Sequence, residues 1–141
     1  MNIKVKDLMT SHICCVSPDM TIENASKIMR GADIGVMPVC DDGGIAGIIT
    51  DRDIIVRAIS KGHSPNEKVE RFMTKNIVGI SPEADIKDAA QLMSDRQIRR
   101  LPVITGRELV GMISVGDIAR CGKLDYEVAK AESGIAEMFK V

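Results

Sequence analysis

The sequence predicts an α/β (α+β) chain made of two tandem β-α-β-β-α repeats packed about a pseudo-twofold axis. Three observations carry this. The chain aligns with itself at an offset of 64 residues, almost without a gap. Each copy sets an amphipathic helical stripe between short β-branched runs, and each then ends in a hydroxyl-x-x-Asp turn that leads into a further helix.

The identities at matched places include Met9-Thr10 with Met73-Thr74, Ser17-Pro18 with Ser81-Pro82, and Pro38-Val39 with Pro102-Val103. Gly47 with Gly111 and Asp53-Ile54 with Asp117-Ile118 continue the series. Residues 1–62 form the first repeat, 63–68 a polar linker with Pro65, 69–122 the second repeat, and 123–141 a tail expected to be helical.

Each copy opens on a short lead, "VKDLMT" or "VERFMT", followed in the first by the strand-like "ICCVS". Pro18 and Pro82 end these strands, because proline donates nothing to a ladder. A helix follows. Ile22, Ala25, Ile28 and Met29, matched by Ile86, Ala89, Ala90 and Met93, fall at helical spacing, with Thr21 and Asp85 as N-caps. "VMPVC" and "IAGIIT" flank "DDGG" and read as a hairpin, as do "LPVIT" and "LVGMIS". The last helix of the first copy carries Ile54, Ile55, Ala58 and Ile59. A three-stranded sheet with two helices leaves one face uncovered, so the copies are expected to pack on each other. In the tail, Tyr126, Val128 and Ala129, then Ile135, Ala136, Met138 and Phe139, suit a broken amphipathic helix for core or dimer packing, or for docking a partner.

Composition narrows the function. Only 2% of residues are aromatic, with no Trp, while there are nine Met, so the core is aliphatic and stacking platforms for single-stranded nucleic acid are scarce. A net charge of −1 gives no general attraction to polyanions. No stretch reads as a signal or a membrane span, and a cytoplasmic location is expected. Cys14, Cys15, Cys40 and Cys121 lack CxxC spacing and are expected to be reduced, mostly buried thiols. His12, Cys14 and Cys15 cluster in sequence, but strand alternation sends neighbours to opposite faces, so no metal is expected. His12 and His63 have no nucleophile-and-acid partners, so catalysis is not expected either.

Thr50-x-x-Asp53 and Ser114-x-x-Asp117 remain. Locally, each is a capping box. Each pair can also hold vicinal sugar hydroxyls, because carboxylates accept where ribose hydroxyls donate. Gly47 and Gly111, three residues earlier, mark close approach of a ligand or of another backbone.

Taken together, "VKDLMT" and "VERFMT", the "SP" pairs, "MPV" and "LPV", and "GIITDRD" and "GMISVGD" resemble a tandem pair of CBS domains, the regulatory repeats named after cystathionine β-synthase. The resemblance spans Val5 to about Gly122. It implies a stand-alone regulatory module whose clefts between repeats bind an adenosine compound, AMP, ADP, ATP or S-adenosylmethionine. It places ribose on Thr50, Asp53, Ser114 and Asp117. Adenine would lie among Ile13, Cys14, Met37 and Pro38 in one copy and Ile77, Val78, Leu101 and Pro102 in the other. Arg99 and Arg100 have no counterpart in Gly35 and Val36, and forked guanidinium donors suit phosphate, so the second site is the phosphate candidate; Arg52 adds charge near the first. The alternative is that Arg99 and Arg100 are solvated, or pair with Asp95 and Glu108. Homodimerisation and action in trans on an unnamed protein partner are further expectations. A ligand-free dimerisation or interaction scaffold is the alternative, and RNA or DNA binding is the weaker third.

Overall fold

The computed structural model describes residues 2–121, 129 and 131–135. The expectations for Gly122, Tyr126, Val128, Ala136, Met138 and Phe139 lie outside the described residues. In order, the elements are α1 (Val5–Leu8), α2 (Ile22–Ala32), β1 (Val36–Asp41) and β2 (Gly44–Thr50), then a π-helix over Asp53–Ala58. After 3-10 turns at Ile59–Lys61 and Val69–Arg71 come α3 (Ile86–Arg96), β3 (Arg100–Thr105), β4 (Glu108–Ser114) and α4 (Val115–Arg120). The class is the predicted mixture of helix and strand, with two small antiparallel sheets.

The caps form where the sequence puts them. Thr21 accepts from the Asn24 amide at 3.1 Å, and Asp85 accepts from the Lys87 amide at 2.8 Å. Both helices end on a non-glycine residue in the left-handed region, Asp33 at φ 55° and Gln97 at φ 56°. The two hairpins share one register, with Val36 opposite Thr50 and Arg100 opposite Ser114, and each has a bulge after its central valine.

The expected third strand shrinks to a single bridge in each copy. Val16 pairs in parallel with Val39, and Ile80 with Val103. Pro18 and Pro82, two residues on, have no amide to extend the ladder.

The chain divides into two compact units, 14–77 and 1–13 together with 78–141. Each unit therefore takes its lead from the other repeat. In the unit 14–77, Val69 of the second lead is fully buried with Ile22, Met37, Val39 and Ile49. In the other, Val5 of the first lead is fully buried with Ile86, Met93, Leu101 and Ile113. Each such valine contributes about 1.5–3 kcal/mol by leaving water.

The glycines explain how the leads seat. A Cβ on Gly47 would lie 2.6 Å from Met73 Sδ and 2.8 Å from the Thr74 carbonyl. One on Gly111 would lie 2.6 Å from Met9 Sδ and 3.0 Å from the Thr10 carbonyl. Thr74 exchanges two backbone hydrogen bonds with Ile48, and Thr10 does the same with Met112. Of the two expected reasons for these glycines, the neighbour in this structure is a backbone.

Two expectations are corrected. Ile54 and Ala58 are buried, but Ile55 and Ile59 are 60% and 51% exposed, so the last helix of the first copy buries half of its apolar stripe. The cause is rotational: residues one position on sit about a quarter-turn round the helix. The thiols are free as expected but not mostly buried, since Cys14 and Cys15 are exposed and Cys40 and Cys121 half-buried. The single-residue bridge at Val16 leaves Cys14 and Cys15 outside any ladder.

Candidate functional site

Each hydroxyl-x-x-Asp pair closes on itself where a strand becomes a helix. The Asp53 amide donates to Thr50 Oγ1 at 3.0 Å, and the Thr50 amide donates to Asp53 Oδ2 at 3.0 Å. The Asp117 amide donates to Ser114 Oγ at 3.1 Å, and the Ser114 amide donates to Asp117 Oδ2 at 2.9 Å. These are complete capping boxes. Each uses one carboxylate oxygen and leaves Oδ1 for other duty.

That second oxygen differs between the copies. Arg120 donates to Asp117 Oδ1, whereas the residue at the matched place in the first copy is Val56. Among the described residues no hydrogen bond reaches Oδ1 of Asp53. Asp117 is only 9% exposed, the one buried charged residue among those described. Its paired state is what burial requires.

The arginines of the second copy stand beside its box. Arg100 faces Ser114 across the β3–β4 ladder, and the Arg99 carbonyl accepts from the Val115 amide at 3.0 Å. Both arginines are exposed. In the first copy the matched contact is from the Asp51 amide to the Gly35 carbonyl, at 2.9 Å. There the Asp51 carboxylate covers Gly35, so that a Cβ on Gly35 would lie 2.8 Å from Oδ2. Arg52 is exposed next to it, its amide held by Asp51 Oδ1 at 2.8 Å. In one copy Arg99 and Arg100 thus adjoin the box through the backbone and Arg120 bonds its aspartate, and in the other Asp51 and Arg52 directly follow Thr50.

The residues assigned to an adenine pocket are spread in burial. Met37 and Leu101 are fully buried members of the two cores, and Pro38 and Pro102 are buried beside them. Ile13, Ile77 and Val78 are half-buried, and Cys14 is exposed with its Sγ 4.0 Å from Met37 Sδ. Arg120 and Asp51 are the site-flanking residues that sequence reasoning missed. The 64-residue offset could have found both, since Arg120 replaces Val56 and Asp51 replaces Val115.

Elsewhere, partial screening of the thiol from water and then the hydrogen bond with Cys40 push the Cys15 thiol up to about 12, although the residue as a whole is exposed. Among the described residues no three His, Cys, Asp or Glu side chains lie together as a metal site. No helix among them is long and apolar enough to cross a membrane.

The CBS domain family matches the chain over residues 5–59 and 69–123, once for each copy. The chain is 39% identical over 115 residues to the CBS domain-containing protein YhcV of Bacillus subtilis, covering 82% of each. It is similar to the crystal structure of Hypoxic Response Protein I with two coordinated zinc ions, at 34% identity and TM-score 0.77, covering 84% of this chain and 98% of that one. A protein called Hypoxic response protein 1 from Mycobacterium tuberculosis is 35% identical over 117 residues, covering 82% of each chain. It is also similar to the CBS domain pair of protein MJ0100 in complex with 5'-methylthioadenosine and S-adenosyl-L-methionine, at 27% identity and TM-score 0.75, covering 86% and 97%.

Proposed function

This chain belongs to the CBS domain family, and from that premise we propose that it is a regulatory ligand-sensing module that binds an adenosine compound and acts in trans on a protein partner. The observation that carries this reading is the duplicated box. Two aspartates, Asp53 and Asp117, are fixed by their own Thr50 and Ser114 with one carboxylate oxygen spent in the cap; the second is without a hydrogen bond among the described residues in Asp53 and is shared with the exposed Arg120 in Asp117. A ribose diol needs such an acceptor beside a hydroxyl. The MJ0100 complex, a relative in fold and sequence, carries two adenosine compounds and supports the same chemistry here.

The two copies then take different parts. Thr50 and Asp53 hold ribose with the nearer free carboxylate oxygen, while Ser114 and Asp117, with Arg99 and Arg100 alongside, hold a phosphorylated ligand. Ile13, Cys14, Met37 and Pro38, and Ile77, Val78, Leu101 and Pro102, are the apolar residues against which adenine packs. Arg52 supplies a cationic side chain next to the first box. The work is regulatory and not catalytic, and the cell compartment is the cytoplasm.

The module operates as a homodimer, and its face is the exposed trio Ile55, Val56 and Ile59. The repeat fold does not require that trio, because the second copy has Ala119, Arg120 and Lys123 at the matched places.

Thermal denaturation with adenosine, AMP, ADP, ATP and S-adenosylmethionine tests the reading, together with mass spectrometry of compounds released from the purified protein. A ligand at about one hundred times its Kd adds ~2.7 kcal/mol to stability. Asp53→Ala with Asp117→Ala should remove that increment, beyond the ~1 kcal/mol each lost cap costs by itself. No increment with any adenine compound, and none released, would leave the boxes as caps only and favour the scaffold. Retention on oligonucleotides that fades with salt would favour nucleic acid.

A further inference from the structure

Arg99 already has a partner. Its Nη1 and Nη2 donate to Oε1 and Oε2 of Glu132, each at 3.0 Å. This is the two-pronged geometry by which a guanidinium takes phosphate, here filled by a carboxylate. Neither Asp95 nor Glu108, the partners expected from sequence, makes this contact.

Glu132 belongs to neither repeat, and the first copy has no residue that corresponds to it. It sits in the helical stretch 131–135, which the second copy's core holds on both sides of it. Ala131 is fully buried and Ile135 is 3% exposed in that core. Gly134 lies so close to Ser94 that a Cβ would come 2.5 Å from the Ser94 carbonyl oxygen. Packing therefore delivers Glu132 to Arg99, and the ion pair is not what anchors the segment. The pair is open to water, with side-chain exposures of 61% for Arg99 and 40% for Glu132. An exposed pair adds little to stability and exchanges partners readily.

We propose that Glu132 is a specificity-determining residue of the second site: it holds the Arg99 fork, and a ligand phosphate must displace it. The inference rests on the adenosine-ligand reading above. It follows that Glu132 weakens phosphorylated ligands and leaves the nucleoside moiety untouched, because its carboxylate competes for the arginine and then faces the incoming phosphate with like charge. The tail thereby sets how much phosphate the second copy accepts.

Calorimetric titration of the full chain with adenosine, AMP and ATP at low ionic strength tests this. Glu132→Gln is expected to tighten AMP and ATP by about two- to fivefold and to leave adenosine unchanged. In an Arg99→Ala background the same change should have no effect on any of the three. Unchanged AMP and ATP binding in Glu132→Gln overturns the proposal, as does an equal change for adenosine. Glu132→Ala, which keeps helix propensity, repeats the comparison should the glutamine variant melt early. If adenosine, AMP and ATP all fail to bind the unmodified chain and both variants, the ligand-sensing reading itself falls, and the role of Glu132 falls with it.

Discussion

Arg120 donates to Oδ1 of Asp117, so both oxygens of that carboxylate are engaged within the protein, one by the arginine and one by the Ser114 amide. At the matched position in the first copy Val56 offers no donor. A sugar diol approaching Asp117 therefore competes with a guanidinium that is itself 74% exposed. Arg120→Val, which copies the first repeat, is expected to tighten adenosine about two- to fivefold at the second site. It should also reduce the preference for phosphorylated over unphosphorylated ligands, because one cation leaves. Titration with adenosine and AMP on Asp53→Ala protein isolates the second site. Weaker adenosine binding in the variant would mean that Arg120 supports the sugar and does not oppose it.

Gly47 and Gly111 give the sharpest stability test. At both, a Cβ meets a methionine sulfur, which can move, and a backbone carbonyl, which cannot without breaking the bridge to Thr74 or Thr10. Overpacking of this kind costs about 1–3 kcal/mol, so Gly47→Ala and Gly111→Ala should each lower the urea midpoint. Gly31 is the control. It lies within α2 with nothing near its would-be Cβ, so Gly31→Ala should stabilise by about 0.5–1 kcal/mol. Equal midpoints for all three variants would remove close approach as the reason for the two glycines.

Much of this was legible from the sequence because duplication repeats every local signal. Thr21 and Asp85 cap helices, the hairpins share their register, and both hydroxyl-x-x-Asp pairs close as boxes. Each of these is a contact within a few residues or within one hairpin, where spacing alone determines which groups can meet. What escaped is contact at long range. Nothing in "VERFMT" says that Met73 lies on Gly47, and nothing in the tail says that Glu132 reaches Arg99. The stretch "ICCVS" is less of a strand than its composition implies, because β-branched and thiol residues mark a strand without marking how many of its amides find partners; only Val16 does so in a bridge.

The exposed trio Ile55, Val56 and Ile59 makes the proposed homodimer testable without touching either core. Sedimentation of the unmodified chain should report a homodimer, and Ile59→Lys should shift it toward monomer at micromolar concentration. Ile59 is 51% exposed, so the melting of the isolated fold should change by no more than about 0.5 kcal/mol beyond the loss of association. A dimer that survives both Ile55→Lys and Ile59→Lys would place its interface elsewhere on the chain.

Cys15 offers a pH test. Although the residue as a whole is exposed, its thiol is partly screened from water, which disfavours the thiolate, and the Cys40 thiol adds a hydrogen bond to the protonated form, so its ionisation moves from the ordinary 9.0 up to about 12. Thiolate is the reactive species, and iodoacetamide at pH 8 should therefore label Cys15 far more slowly than an ordinary free thiol. Its rate should climb steadily as the pH approaches 12. The linkage has a definite sign. Between about 9 and 12 the unfolded chain has lost the Cys15 proton while the folded chain retains it, so this contribution to stability is complete below 9 and declines as pH rises through that window. Cys40→Ala removes the hydrogen-bond partner and should speed labelling at pH 9, with peptide mapping to assign the modified site. Labelling of Cys15 at pH 8 at the rate of an ordinary thiol would show that neither burial nor Cys40 restrains it.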